Sequence, residues 1–137
     1  MTTILDKDTV IAIHIPASYS PEKTEFITPD SYKQQVGFVV YPADGEIVPH
    51  IHHEMERNLL GTSEVLFVKN GRCLVDFYRQ DKSYLQTIEI ATGDVLVLVG
   101  GGHGFRMIED TTFIEVKQGP YVGVQEKERF DRPSGIV

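Results

Sequence analysis

Short apolar segments separated by turn-forming residues recur along most of this chain. They lie at residues 10–15, 35–41, 64–69, 72–78, 85–90, 95–99, 105–108 and 112–117. Strand-length segments of this kind, bounded by Gly, Pro, Asn and Asp, are typical of an all-β sandwich or barrel. No sustained helical stripe interrupts them, so we predict an all-β domain.

The turn residues indicate how neighbouring strands connect. Asn-Gly at 70–71 is a strong short-range signal for a hairpin, and it predicts that 64–69 pairs with 72–78. Segment 105–108 is the predicted hairpin partner of 112–117. Gly-Asp at 93–94 and Asp-Gly at 44–45 predict turns. Segments 65–68 and 95–99 are apolar on both faces, which indicates a packed second sheet or a subunit interface. We therefore expect a barrel that forms a homodimer through one sheet.

Composition limits the class of protein and its partners. The 137 residues fit one domain of about 100–150 residues. The single cysteine, Cys73, excludes an intramolecular disulfide. A net charge of −7 argues against nucleic acid or an anionic membrane as a partner. The apolar stretch at 10–15 is too short and too polar for a signal peptide or a membrane span. The expected location is therefore the cytoplasm.

Three of the five histidines form one cluster, His50, His52 and His53. On an extended chain His50 and His52 point to the same face, because side chains alternate with period 2. Two imidazoles placed in this way can bind one metal ion. A single histidine on a strand is more often structural, but this pair favours a metal site.

Two later positions add to the histidine pair. Glu64 begins an apolar strand and so places a carboxylate at its rim. His103 follows the apolar strand 95–99 within a run of glycines. Glycines allow a sharp bend and close backbone approach, so they could aim a third imidazole inward.

These motifs resemble those of the cupin family. The first motif appears as Gly45, then His50 and His52, then Glu64, with six residues between Glu64 and Gly71. The second motif, a glycine-led strand followed by a turn and a histidine, is matched by Gly93, Gly101 and His103. The resemblance implies a double-stranded β-helix of the cupin or jelly-roll type. It also implies one cupin domain over 1–137, with the barrel core at about 35–117 and extensions at both ends.

The resemblance implies one metal ion bound by His50, His52, Glu64 and His103. The family usually has a shorter spacing before its glutamate, whereas eleven residues separate His52 from Glu64. Glu56 satisfies the shorter spacing and is therefore an alternative ligand, as is His53. Glu64 is preferred because it alone keeps the strand and the turn at Gly71 in register.

The implied donor set suggests a range of metals and functions. Imidazoles with one carboxylate suit Fe, Mn, Ni, Cu or Zn as a divalent ion. Cupins include isomerases, dioxygenases and decarboxylases, so the fold alone does not name a reaction. We expect a metal-dependent enzyme for a small, polar, oxygen-rich substrate, with a sugar-derived molecule and carbohydrate metabolism favoured. The alternative is a non-catalytic cupin that binds or senses a small ligand.

Four charged residues are candidates for further contacts. Arg57, in the loop between the predicted ligands, could bind a substrate carboxylate or phosphate through its planar guanidinium. Arg106, three residues after His103, is a second candidate. Glu115 and Lys117 share one face of the last strand and are interpreted as exterior charges. If that face points inward, they are a proton-transfer pair or substrate contacts.

Overall fold

The computed structural model describes residues 1–136, and for Val124 it describes only the backbone. The chain forms two compact units. The first contains Met1–Tyr19 together with the residues from Thr62 onward, and the second contains Ser20–Gly61. No helix in the described chain reaches the length and hydropathy that a membrane crossing needs.

Antiparallel strands make up nearly all the regular structure. The first unit contains β1 (Thr2–Asp6), β2 (Thr9–Ile15), β5 (Glu64–Asn70), β6 (Arg72–Tyr78), β7 (Tyr84–Ala91), β8 (Val95–Leu98), β9 (Gly102–Met107) and β10 (Thr112–Lys117). The second unit contains β3 (Glu25–Phe26) and β4 (Gly37–Phe38), which pair with each other. The helical residues among those described form a single 3-10 turn, Gly123–Gln125.

The first unit has the character of a β-sandwich. A five-stranded sheet has the order β1-β2-β8-β5-β10, and a three-stranded sheet has the order β7-β6-β9. Both sheets contribute to one buried core, which includes Ile4, Ala12, Leu66, Leu96, Cys73, Val75, Phe77 and Ile90. Burial of such apolar side chains is the main favourable term in folding. Neither sheet closes on itself within the described residues.

The all-β prediction is confirmed, and seven of the eight apolar segments contain well-formed strands. Segment 35–41 keeps only the two residues of β4. Strand β1 was not predicted, because Thr2–Asp6 is short and only Ile4 is buried. Strands β1 and β2 supply two of the five strands of the larger sheet, although both precede the expected barrel core at 35–117.

Both predicted hairpins are wrong. Strand β5 pairs with β10 and β8, whereas β6 pairs with β7 and β9. The Asn-Gly signal therefore marks a crossing from one sheet to the other. Only Gly71 separates β5 from β6, which is one residue fewer than a two-residue hairpin loop requires. The crossing lets the inner faces of both strands pack against each other across the core.

Gly71 is the corner of this crossing. Its φ is +95°, and a Cβ would overlap the Asp110 carbonyl and Thr111. Its N–H donates to Thr92 Oγ1 at 2.9 Å, and its carbonyl accepts from the Thr92 N–H at 3.0 Å. Only glycine adopts this conformation without strain, so the residue type determines where the chain changes sheets.

Candidate functional site

Glu64 lies at the start of β5, on the face that contributes to the core. It pairs with Leu98 on one side and Lys117 on the other, and Leu66 and Val68 follow it inward along the strand. Glu64 is only 7% exposed. A carboxylate this buried needs charged or hydrogen-bonding partners, because burial without them is costly.

His103 faces the same interior from the other sheet. It lies on β9 opposite Phe77, which is fully buried in the core. The preceding Gly101 has a φ of +61°, and a Cβ there would meet the Tyr78 carbonyl and the Ile11 side chain. The glycine run therefore permits the close approach that the sequence indicated.

The two side chains meet between the sheets. His103 Nε2 lies 3.2 Å from Glu64 Oε2. The hydrogen bond from His103 holds the pKa of Glu64 below its ordinary value, against the opposing effect of burial, and the nearby Lys117 adds to the lowering. Residues far apart in the sequence and in separate motifs therefore form a direct polar contact.

Lys117 and Glu115 extend this contact along β10. Lys117 Nζ lies 3.2 Å from Glu115 Oε1 and 3.7 Å from Glu64 Oε1. The hydrogen bond to Glu115 raises the pKa of Lys117. Both residues share a strand face with Phe113, which packs against the core. The Lys117 side chain is only 20% exposed, whereas the Glu115 side chain is 42% exposed and lies at the surface, as the exterior interpretation expects. The sequence signal that places Glu115 and Lys117 on this face is their alternation with Phe113 along β10.

The second unit contains the histidine pair. The rings of His50 and His52 have their centroids 5.1 Å apart, with an angle of 76° between their planes. His50 Nδ1 lies 2.9 Å from the Val48 carbonyl oxygen. Residues 46–60 form no strand, so the predicted extended strand is absent, although the two rings do lie side by side. Both residues are exposed.

The alternative ligands and Arg57 lie in the second unit with the histidine pair, whereas Arg106 lies in the first unit. His53, Glu56 and Arg57 are exposed residues of the second unit. Arg106 lies on the other face of β9 from His103 and binds Asp76 through Nε at 3.1 Å and Nη2 at 2.8 Å. Its predicted role as a substrate contact stays a prediction.

The structure describes the four predicted ligands as two pairs, one in each unit. Across residues 1–136, no group of three or more His, Cys, Asp or Glu side chains is arranged to hold a metal ion. Comparisons with protein-family models, with curated proteins and with solved structures found no match for this chain.

Proposed function

We propose that this protein is a metal-binding cupin that binds one divalent transition metal with His50, His52, Glu64 and His103. In this proposal it is a metal-dependent enzyme for a small, polar, oxygen-rich molecule. The donor set, three imidazoles and one carboxylate, suits Fe, Mn, Ni, Cu or Zn.

The observation that carries the proposal is the 3.2 Å contact between His103 Nε2 and Glu64 Oε2. These residues come from the two motifs that resemble the cupin motifs, and they approach each other from opposite sheets. Two antiparallel sheets with a shared core are also consistent with the implied jelly-roll architecture. A buried carboxylate beside an imidazole is a ready donor pair for a borderline metal ion.

The environment of His50 is a second support. When Nδ1–H donates to the Val48 carbonyl, the neutral ring presents the lone pair of Nε2. Metal-binding histidines commonly donate their other ring N–H to a backbone carbonyl, which fixes the tautomer. The His50 side chain therefore already has the hydrogen bond that a ligand histidine needs.

In this proposal the metal ion, Glu64 and His103 would each have a separate chemical role. A bound metal ion polarises a substrate oxygen or lowers the pKa of bound water. Glu64 would supply the negative charge, and the lowered pKa keeps its carboxylate ionised to more acidic pH than an ordinary glutamate. Nε2 of His103 cannot donate a hydrogen bond to Glu64 and its lone pair to a metal ion at the same time, so metal binding would replace this contact.

The test is the metal content of the protein made without a histidine tag. Mass spectrometry would measure transition metals in the wild type, in His50→Ala/His52→Ala and in Glu64→Gln/His103→Gln. His14→Gln is the matched control, because His14 contacts Asp94 and belongs to neither pair. We expect near-stoichiometric metal in the wild type and the control, and loss of metal in both double variants.

Two results would count against the proposal. An absence of metal after reconstitution with iron, manganese, nickel, copper and zinc would remove it. Metal retained in His50→Ala/His52→Ala but lost in Glu64→Gln/His103→Gln would restrict the site to the first unit. Turnover of oxygen-rich substrates by the metal-loaded protein then separates an enzyme from a cupin that only binds its ligand.

A further inference from the structure

A polar cleft of about 500 Å³ lies in the first unit, between the ends of two hairpins. One is the β1–β2 hairpin of the larger sheet, and the other is the β6–β7 hairpin of the smaller sheet. Small-molecule sites have this range of volume, but most of them are lined mainly by apolar groups. The lining here is charged and polar, which indicates a polar ligand, and it includes none of the proposed metal ligands: Asp6, Lys7, Arg79, Gln80, Asp81 and Ser83.

Arg79 joins the two sides of the cleft and is held in place by its neighbours. Its Nε donates to Asp6 Oδ1 at 3.0 Å, and its Nη1 donates to the Tyr84 carbonyl at 2.7 Å and to Ser83 Oγ at 3.3 Å. Arg79 and Asp6 therefore form a neutral pair that fixes the wall of the cleft. Nitrogen Nη2 of Arg79 has no hydrogen-bond partner among residues 1–136 and is a free donor.

Two opposite charges at the cleft have no ion pair. Across the described part of the chain, neither Lys7 nor Asp81 forms an ion pair with each other or with another residue. The Asp81 carboxylate accepts hydrogen bonds from the Ser83 N–H at 2.9 Å and from the Ser83 hydroxyl at 2.6 Å. These bonds hold the pKa of Asp81 below its ordinary value, and both donors are neutral, so the carboxylate keeps its charge.

The backbone at Lys7 is a second observation that favours a role for its side chain. Lys7 is the first of the two residues that link β1 to β2, and its φ is +55°. Glycine adopts a positive φ without a steric penalty and is a preferred residue in two-residue hairpin loops. Non-glycine residues in this conformation cluster at ligand-binding positions. The chain has a lysine where glycine would relieve strain, and the ammonium has no partner in the described protein.

We propose that this cleft binds a small zwitterion, a molecule with one carboxylate and one ammonium group such as a free α-amino acid. Lys7 binds the carboxylate, with Arg79 Nη2 as a second donor, and Asp81 binds the ammonium. The lining has two positive and two negative side chains, so a ligand of zero net charge is more complementary than a simple anion or cation. The site lies outside the proposed metal-dependent function and needs no metal ion.

The test is an amide NMR titration of the protein with L-glutamine, a zwitterion with a polar uncharged side chain. We expect the amide signals of Lys7, Gln80 and Ser83 to shift, because these residues line the cleft. Two analogues each lack one charge: N-acetyl-L-glutamine has no ammonium, and L-glutaminamide has no carboxylate. Each analogue should bind the wild type about fivefold more weakly than L-glutamine, because one exposed ion pair is lost.

Variants assign each charge of the ligand to its side chain. Lys7→Met should weaken L-glutamine binding about fivefold and leave L-glutaminamide binding unchanged, because this analogue has no carboxylate. Asp81→Asn keeps an acceptor oxygen for Ser83, and it should weaken binding of L-glutamine but not of N-acetyl-L-glutamine. The matched controls are Lys69→Met and Asp110→Asn, which make the same charge changes at exposed positions outside the cleft and should match the wild type.

Three results would overturn the proposal. The first is an absence of shifts at the cleft with L-glutamine, and the second is binding of either analogue to the wild type as tightly as L-glutamine. The third is a Lys7→Met or Asp81→Asn variant that binds L-glutamine within twofold of the wild type. Lys7→Gly separates loss of the ammonium from misfolding, because glycine accepts the positive φ. It should unfold at no lower urea concentration than the wild type and bind L-glutamine as weakly as Lys7→Met, and wild-type affinity in this variant would also overturn the assignment.

Discussion

Asp76 on β6 is a fully buried carboxylate that holds several parts of the first unit together. Its oxygens accept hydrogen bonds from Arg106, from Arg132 Nε at 2.9 Å and from Thr87 Oγ1 at 2.7 Å. Burial raises the pKa of Asp76, but the hydrogen bonds and the two guanidinium charges outweigh it, so the pKa is lowered. The carboxylate therefore joins β7, β9 and the C-terminal segment to one point on β6.

Removing this charge should reduce stability in a pH-dependent way. We expect Asp76→Asn to lower the free energy of unfolding by about 3 kcal/mol at pH 7, because two guanidinium groups lose their buried partner. A lowered pKa in the folded state stabilises the protein above the ordinary pKa of 3.8, and this contribution is lost as pH falls below it. The difference between variant and wild type should therefore shrink below about pH 4.

Urea unfolding at several pH values measures this effect. Asp110→Asn is the matched control, because Asp110 is exposed and should give little change at any pH. A constant difference between Asp76→Asn and the wild type from pH 7 to pH 3 would show that the charge of Asp76 is not what stabilises the fold.

The sequence pattern indicated the positions of some residues of the candidate site, Glu64 and His103, but not that of Lys117. Glu64 and His103 could be predicted as neighbours because Glu64 begins one apolar strand and His103 follows the end of another. Strand ends converge at the rim of a packed sheet. Lys117 could not be assigned in the same way, because alternation gives two faces without saying which one is buried. The structure shows which face is buried. Ile114 and Val116 point outward from β10, so Lys117 points inward.

At the scale of elements, the strands were predictable and their partners were not. Strand formation depends on local alternation and turn residues, which lie within a few positions of each other. Pairing depends on which faces pack together, and for β5 and β6 that is decided across the sandwich. The Asn-Gly signal is compatible with both outcomes. The one-residue link at Gly71 is the detail that separates them.

Gly71→Ala tests the corner between the two sheets. The substitution would require a positive φ and would place a Cβ against the Asp110 carbonyl. We expect it to lower the free energy of unfolding by about 2–4 kcal/mol. Gly123→Ala is the matched control, because Gly123 has a φ of +68° but no atom within 4 Å of an added Cβ. Its cost should be about 1 kcal/mol, the penalty for the backbone conformation alone.

Chemical denaturation of both variants gives the comparison. If Gly71→Ala costs no more than Gly123→Ala, close packing at the corner contributes nothing, and the positive φ alone explains the glycine. A larger loss in Gly71→Ala, with the same denaturant slope as the wild type, assigns the difference to the Asp110 and Thr111 contacts.

At the scale of the whole molecule, the outer face of β5 and β10 is an apolar surface. Phe67 pairs with Ile114 and Val65 with Val116 across these strands. Phe67, Ile114 and Val116 are 40%, 49% and 54% exposed. Strand β10 is also an edge of the five-stranded sheet, so its unpaired backbone groups lie beside this surface. An exposed apolar edge favours self-association.

The homodimer predicted from the sequence can be tested at this surface. A two-fold interface uses the same patch on both copies, so one substitution alters it twice. We expect the wild type to be dimeric by light scattering coupled to size-exclusion chromatography, and Ile114→Lys to be monomeric. Ile108→Lys is the matched control, since Ile108 is 43% exposed but lies after β9 in the other sheet. A wild type that stays monomeric as its concentration rises would refute the dimer. A dimer that persists in Ile114→Lys would place the interface away from β10.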